Sequence, residues 1–218
     1  MLSEKAKLYM RVDQLRSSWG LDIGGLTNSI SLVTQSPRIE LEYFAFTTPG
    51  LCGVAMVGDK SDTITLNSNR TSSEQNFDCC HELMHLQLHR KLQKTFNCFS
   101  RKKPLQDSFQ EWQANEGAAQ FLVPYQDFIP AFVSLLPFSG PSTGVYLPGI
   151  LADRYGVTTR VIEIRMDSLS YEIDQYRRGV PIDQIELLSK KQRRDRSIIP
   201  TNYAAACDFG IPWDAMIG

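Results

Sequence analysis

Apolar residues recur at helical spacing over residues 3–18, at Ala6, Leu8, Tyr9, Val12 and Leu15, and predict a short amphipathic helix. The following LDIGGLTNS reads as a loop. Strand character then appears in three runs, residues 38–47, 53–57 and 63–67, separated by the turn signals Thr48-Pro49-Gly50 and Gly58-Asp59-Lys60-Ser61. A small antiparallel sheet is the expectation. The period changes again at Thr71-Ser72-Ser73-Glu74, which reads as a capping box and starts a helix expected to run through FDCCHELMHLQLHRKLQ to about Lys94. A loop at Lys102-Lys103-Pro104 follows. Asp107 or Ser108 can cap a second helix through EWQANEGAAQFL, which stops before Pro124.

The part of the chain from residue 145 onward is expected to be helical. PFSGPSTG, residues 137–144, has the Gly, Pro and Ser content of a linker, and residues 151–173 read as one or two helices with a turn at Gly156. Residues 190–196 (KKQRRDR) are basic, and no element is assigned from Ser197 onward. The fold class expected is α+β: a small antiparallel sheet packed on two helices, followed by a helical C-terminal part. The division expected is residues 1–136, including the N-terminal helix, and residues 145–218.

Composition narrows the setting. With 42% apolar and 22% charged residues, the 218-residue chain has the make-up of a globular protein with a core of its own. A net charge of −1 gives no electrostatic reason to expect nucleic acid or an anionic membrane as partner. Cys52, Cys79, Cys80, Cys98 and Cys207 are odd in number and irregular in spacing, unlike a secreted disulfide framework, and they lack the C-x-x-C pairs of structural zinc sites. They are read as core fillers. The opening MLSEKAKLYMRVDQ is charged where a signal peptide would be apolar, and no stretch is long and apolar enough to span a membrane. A cytoplasmic location is therefore expected.

The chemistry concentrates at His81-Glu82-Leu83-Met84-His85, which fits H-E-x-x-H. On a helix, positions i and i+4 share a face, so two imidazoles there can reach one zinc ion. Glu82 points toward the edge of that face, where it can act as general base on a water activated by the metal. His89 extends the four-residue steps. It lies about 12 Å along the axis from His81, too far to close around the same ion without strain. A packing or hydrogen-bonding role at the helix end fits it better. A catalytic zinc needs a third protein ligand. Glu111 follows at a distance that allows a loop and an antiparallel helix, and Asn115, one turn on, could steady a ligating histidine. Spacing alone leaves Glu111 with two readings, because Ser108-x-x-Glu111 is itself a capping box.

The run FDCCHELMHLQLH resembles the motif helix of the ImmA/IrrE metallopeptidases, F-x-x-A-H-E-L-G-H-x-x-L-H. EWQANEGAAQFLVP is similar to the family's second signature, E-x-E-A-N-x-F-A-A-x-L-L-M-P, and TITLN fits the strand before the motif helix. The resemblance is strong over residues 63–124 and extends back to about Ile39. It implies His81, His85 and Glu111 as zinc ligands, Glu82 as catalytic base and Asn115 as their support. It also implies that residues 1–136 form a zincin-like metallopeptidase domain. Met84 stands where the family has glycine, Gln113 where it has a second glutamate, Gly117 for phenylalanine and Cys80 for alanine. None of these removes a proposed ligand or base. Substrate preference is where they bear.

Family members are encoded with mobile elements or stress-response systems, and several cleave a helix-turn-helix repressor or relieve its repression. The function expected by resemblance is thus a zinc-dependent endopeptidase whose protein substrate is a transcriptional repressor. The alternative is a non-catalytic zinc-binding regulator that displaces a repressor by binding. A third reading, a DNA-binding protein with a structural zinc, is opposed by the weak basic character. Residues 151–169 resemble the small helical unit that follows the peptidase core, with the apolar spacing of a helix-turn-helix. Neutral charge favours packing over DNA contact there, and the 190–196 cluster reads as a solvated face.

Overall fold

The computed structural model describes residues 2–100, 106–139 and 145–203. The loop read at Lys102-Lys103-Pro104, residues 140–144 of the expected linker, and Cys207 lie outside them. In chain order the described elements are helices α1 (Glu4–Ser18) and α2 (Ser29–Gln35), strands β1 (Ile39–Phe44), β2 (Leu51–Met56) and β3 (Asp62–Asn67), helix α3 (Ser72–Leu88), strand β4 (Thr95–Phe99), and helices α4 (Ser108–Leu122), α5 (Tyr125–Leu135), α6 (Leu147–Tyr155), α7 (Thr159–Ser168), α8 (Ser170–Arg177) and α9 (Lys190–Asp195). They sort into two compact units, Leu26–Leu122 and the pair of segments Met1–Gly25 and Val123–Gly218.

The unit Leu26–Leu122 is α+β, as expected. Its four strands lie in the order β1-β3-β2-β4. β2 is antiparallel to both β3 and β4, but β1 runs parallel to β3, with Leu41 opposite Ile64. The expected antiparallel sheet is therefore a mixed one. β3 buries every second residue, Asp62, Ile64 and Leu66, and it takes the centre between β1 and β2. Three consecutive strands of alternating direction cannot then all pair antiparallel. α3 packs on β2, β3 and β4, and α2 and α4 flank it.

Two elements of the unit Leu26–Leu122 escape the sequence reading. α2 is short and largely polar (SISLVTQ), so its periodicity is weak; Asn28 caps it by accepting from Ser31 N–H at 3.0 Å. β4 stands where a helix extension and a loop were expected. α3 ends at Leu88 rather than near Lys94, because residues 90–94 are all exposed and offer no apolar face to bury. The chain instead resumes as TFNCF, whose alternation buries Phe96 and Cys98.

The other unit is helical. α1 is capped by Ser3, which accepts from Ala6 N–H, and buries Leu8, Tyr9 and Val12. α6 ends at Gly156, whose φ of +63° is the left-handed conformation glycine adopts without a Cβ penalty. Two buried cations tie the unit together. Lys5 Nζ donates to Glu172 Oε1 and to the Ser168 carbonyl, both at 2.8 Å. The Arg165 guanidinium donates to the Val123 carbonyl and to the Tyr9 hydroxyl. The basic 190–196 run is largely engaged within the unit: Lys190 pairs with Asp167, Arg196 with Glu186, and buried Arg193 donates to Ser170 Oγ. Among the described residues no single helix is long and apolar enough to cross a membrane.

Candidate metal centre

The start of α3 is fixed locally. Thr71 and Glu74 form the expected capping box, with Thr71 N–H donating to Glu74 Oε2 at 2.9 Å. One turn on, Asn76 ties α3 to α2: Ser29 N–H donates to Asn76 Oδ1 at 2.8 Å, and Asn76 Nδ2 donates to the Thr27 carbonyl. From Cys79 to Leu86 every residue is buried. Met84, which replaces the family's glycine, is accommodated in the core at 0% exposure. Cys80 faces α4 at the Ala118 carbonyl, where buried Ala114, Gly117 and Ala118 present no long side chain.

That burial carries His81, Glu82 and His85 into the interior. The Nε2 atoms of His81 and His85 lie 3.0 Å apart. Glu111, in the first turn of α4, places its carboxylate oxygens 3.6 Å from His81 Nε2 and 3.4 Å from His85 Nε2. The capping role for Glu111 is filled by another residue. Asp107 Oδ1 accepts from the N–H groups of Phe109 and Gln110, leaving the Glu111 side chain to face the histidines. Of the three, Glu111 alone is open to solvent, at 17%.

The remaining ring nitrogens are also engaged. His81 Nδ1 lies 3.2 Å from Asn115 Oδ1, and Asn115 Nδ2 donates to the Glu111 carbonyl at 2.8 Å. The second bond orients the amide, so its oxygen faces His81 and receives the Nδ1 proton. His85 Nδ1 lies 3.0 Å from His89 Nδ1, and His89 Nε2 lies 3.0 Å from Gln113 Oε1. Phe96 of β4 stacks on the His85 ring with centroids 4.6 Å apart. His89 is thus a hydrogen-bonding partner of His85 at the helix end.

These contacts allow the donor set to be tested for a metal. With both Nδ1 atoms protonated, two Nε2 lone pairs confront each other at 3.0 Å with a carboxylate beside them. That arrangement is repulsive by itself and suits a divalent cation with tetrahedral nitrogen and oxygen ligands. His81, His85 and Glu111 fit zinc.

Electrostatics agree. Burial, and then the neighbouring His85, push the His81 pKa down to about 3, so its imidazole is neutral and ready to ligate. Burial opposes ionisation of Glu111, yet its contacts with His85 and His81 hold its carboxyl below the usual range. Glu82 differs. It is fully buried, and neither carboxylate oxygen makes a hydrogen bond among the described residues. Burial, and then the Glu111 charge, push its pKa well above the usual carboxylate range, and the Cys98 backbone offsets this only in part. A buried carboxylate so poorly compensated needs a reason, and a water beside a cation supplies one.

Three contributors were not legible as site residues. Gly53 of β2 lets the backbone pass directly by Glu82: a Cβ there would lie 3.1 Å from Oε1. Phe96 was missed with its strand, although the alternation in TFNCF signals it. Gln113 stood out only as a departure from the family pattern. A second convergence, Cys52, Asp78 and Cys98, is buried nearby, but Arg70 already occupies Asp78 at 2.5 Å. Cys52, Cys79, Cys80 and Cys98 are buried and in no disulfide among the described residues, as core fillers would be.

No curated protein matches the chain. Among solved structures, a Mycobacterium tuberculosis transcriptional regulator is similar, with 16% identity and a TM-score of 0.49 over 75% of this chain and 47% of that one. The chain thus spans about half of that protein's length. Residues 39–167 match the family model of a peptidase family, described as the IrrE N-terminal-like domain. That match covers more than half of the chain and both H-E-x-x-H and Glu111, and the protein therefore belongs to the IrrE-like peptidase family.

Proposed function

We propose that this protein is a zinc-dependent endopeptidase, with His81, His85 and Glu111 as the metal ligands and Glu82 as the catalytic base. The observation that carries the reading is the pairing of a three-donor cluster with a fully buried carboxylate that has no hydrogen-bond partner among the described residues. When bound, zinc supplies a Lewis acid that polarises the scissile carbonyl and acidifies water.

The chain's own residues do the rest. Glu82 accepts a proton from the attacking water and delivers it to the leaving amine, so one peptide bond and one water become an acid and an amine. Its full burial keeps bulk water from competing for that proton. Asn115, oriented by the Glu111 carbonyl, holds the Nδ1 proton of His81 and keeps Nε2 unprotonated. Phe96 limits rotation of the His85 ring.

The substrate proposed is a helix-turn-helix transcriptional repressor, which rests on the family resemblance. Purified protein with zinc is incubated with the repressors encoded beside its gene, in parallel with Glu82→Gln. Cleavage at a discrete bond by the wild type alone supports the reading. Survival of every repressor with both proteins opposes it. Equal derepression in cells by wild type and Glu82→Gln would replace hydrolysis with displacement by binding.

A further inference from the structure

Two residues outside the ligand set, His89 and Gln113, line up behind His85. His85 presents Nε2 to the centre and Nδ1 to His89, and a neutral imidazole has one proton for the two. His89 passes the same question on: its Nδ1 faces His85 and its Nε2 faces Gln113. The chain has two consistent polarities. In one, Gln113 Oε1 accepts from His89 Nε2–H, His89 Nδ1 accepts from His85 Nδ1–H, and His85 Nε2 keeps its lone pair. In the other, the amide is turned: Gln113 Nε2–H donates to His89, His89 Nδ1–H donates to His85, and His85 Nε2 carries a proton. An N–H cannot ligate a cation. It would donate to His81 Nε2 or to Glu111, both within reach.

The two histidines differ in what holds their polarity. The Asn115 amide that serves His81 is locked by its second bond, to the Glu111 carbonyl. The Gln113 amide makes one side-chain hydrogen bond among the described residues, to His89, and has no second bond there of the kind that fixes Asn115. The structure has the amide in the metal-binding sense, with Oε1 3.0 Å from His89 Nε2.

We propose that Gln113, acting through His89, is a positioning residue that decides which nitrogen of His85 carries the proton, and so sets the metal affinity of the centre. The proposal rests on the reading of His81, His85 and Glu111 as metal ligands. Because an amide can face either way, glutamine lets the chain reverse, and the centre can satisfy itself internally when no metal is held. A carboxylate at 113 accepts only and fixes the metal-binding sense.

The test combines zinc affinity, measured by competition with a chromophoric chelator, with nitrogen-15 NMR of the histidine rings. In zinc-loaded wild type, His89 is expected to carry its proton on Nε2 and His85 on Nδ1. Gln113→Leu should weaken zinc binding about 10- to 100-fold, with the His81 signals unchanged. Gln113→Glu should bind zinc at least as tightly as wild type. A proton on His89 Nδ1 in the zinc-loaded protein overturns the proposal, as does wild-type affinity in Gln113→Leu. If Gln113→Leu does not fold, the wild-type spectrum and Gln113→Glu decide alone. Failure of the underlying site reading looks different: wild type would bind no zinc, or Glu111→Ala would bind it equally well.

Discussion

Gly53 passes so close to Glu82 that a methyl group on its Cα would sit 3.1 Å from Oε1 and 3.2 Å from Cγ. The strand therefore forms one wall of the base's position, and only glycine leaves the carboxylate where it stands. Gly53→Ala is expected to push Glu82 by a few tenths of an ångström while the ligand cluster stays in place. Loss of alignment on this scale should lower kcat roughly tenfold with zinc content unchanged. Steady-state kinetics beside metal analysis checks it, and an unchanged kcat would show that Glu82 works equally well when displaced.

Thr71 holds the first turn of the helix that carries the centre. Thr71→Ala removes the side-chain partner of Glu74 N–H and half of the capping box. A loss of about 1 kcal/mol in unfolding free energy is expected, read by urea denaturation, with the ligand geometry preserved because burial of residues 79–86 sets it.

Lys5 and Glu172 form a buried pair, with side chains 3% and 0% exposed. Leu188 N–H donates to the same Glu172 oxygen, while Oε2 has no hydrogen-bond partner among the described residues. Lys5→Met strands the carboxylate and should cost roughly 3–5 kcal/mol. Adding Glu172→Leu should recover much of that loss, since a buried pair replaced on both sides is often neutral. Denaturation of the single and double variants measures the coupling, and purely additive losses would contradict it.

Acid should destabilise the metal-free protein through His81. Its folded pKa is depressed from 6.5 to about 3 by burial and by His85. Between those values the unfolded chain binds the proton that the folded chain refuses. The stability that neutral His81 contributes is therefore full above pH 6.5 and is lost as pH falls toward 3. In chelator-treated protein, the fall in unfolding free energy from pH 7 to pH 5 should be steeper for wild type than for His81→Gln. Equal slopes would mean that His81 does not titrate as the structure requires.

Much of this site was legible because it is local. H-E-x-x-H and E-x-x-x-N each lie within about one helical turn, so spacing translates directly into a shared face, and Thr71 caps the helix its sequence announces. What one segment does to another was not legible. Glu111 could be ligand or cap until Asp107 was seen to take the cap. The parallel pairing of β1 with β3 depends on which strand occupies the middle of the sheet, and strand composition does not encode that. Phe96 and Gly53 serve the centre from strands whose sequence carries no chemical signature, and Gln113 matters only through the nitrogen it meets on His89.

The central claim is that His81, His85 and Glu111 hold one zinc ion while Glu82 stands beside it without ligating. Equilibrium zinc titration of purified wild type, Glu82→Gln and Glu111→Ala tests this directly. Wild type and Glu82→Gln should each bind one equivalent with similar affinity, and Glu111→Ala should bind far more weakly. Full affinity in Glu111→Ala, or loss of zinc in Glu82→Gln, would contradict the assignment.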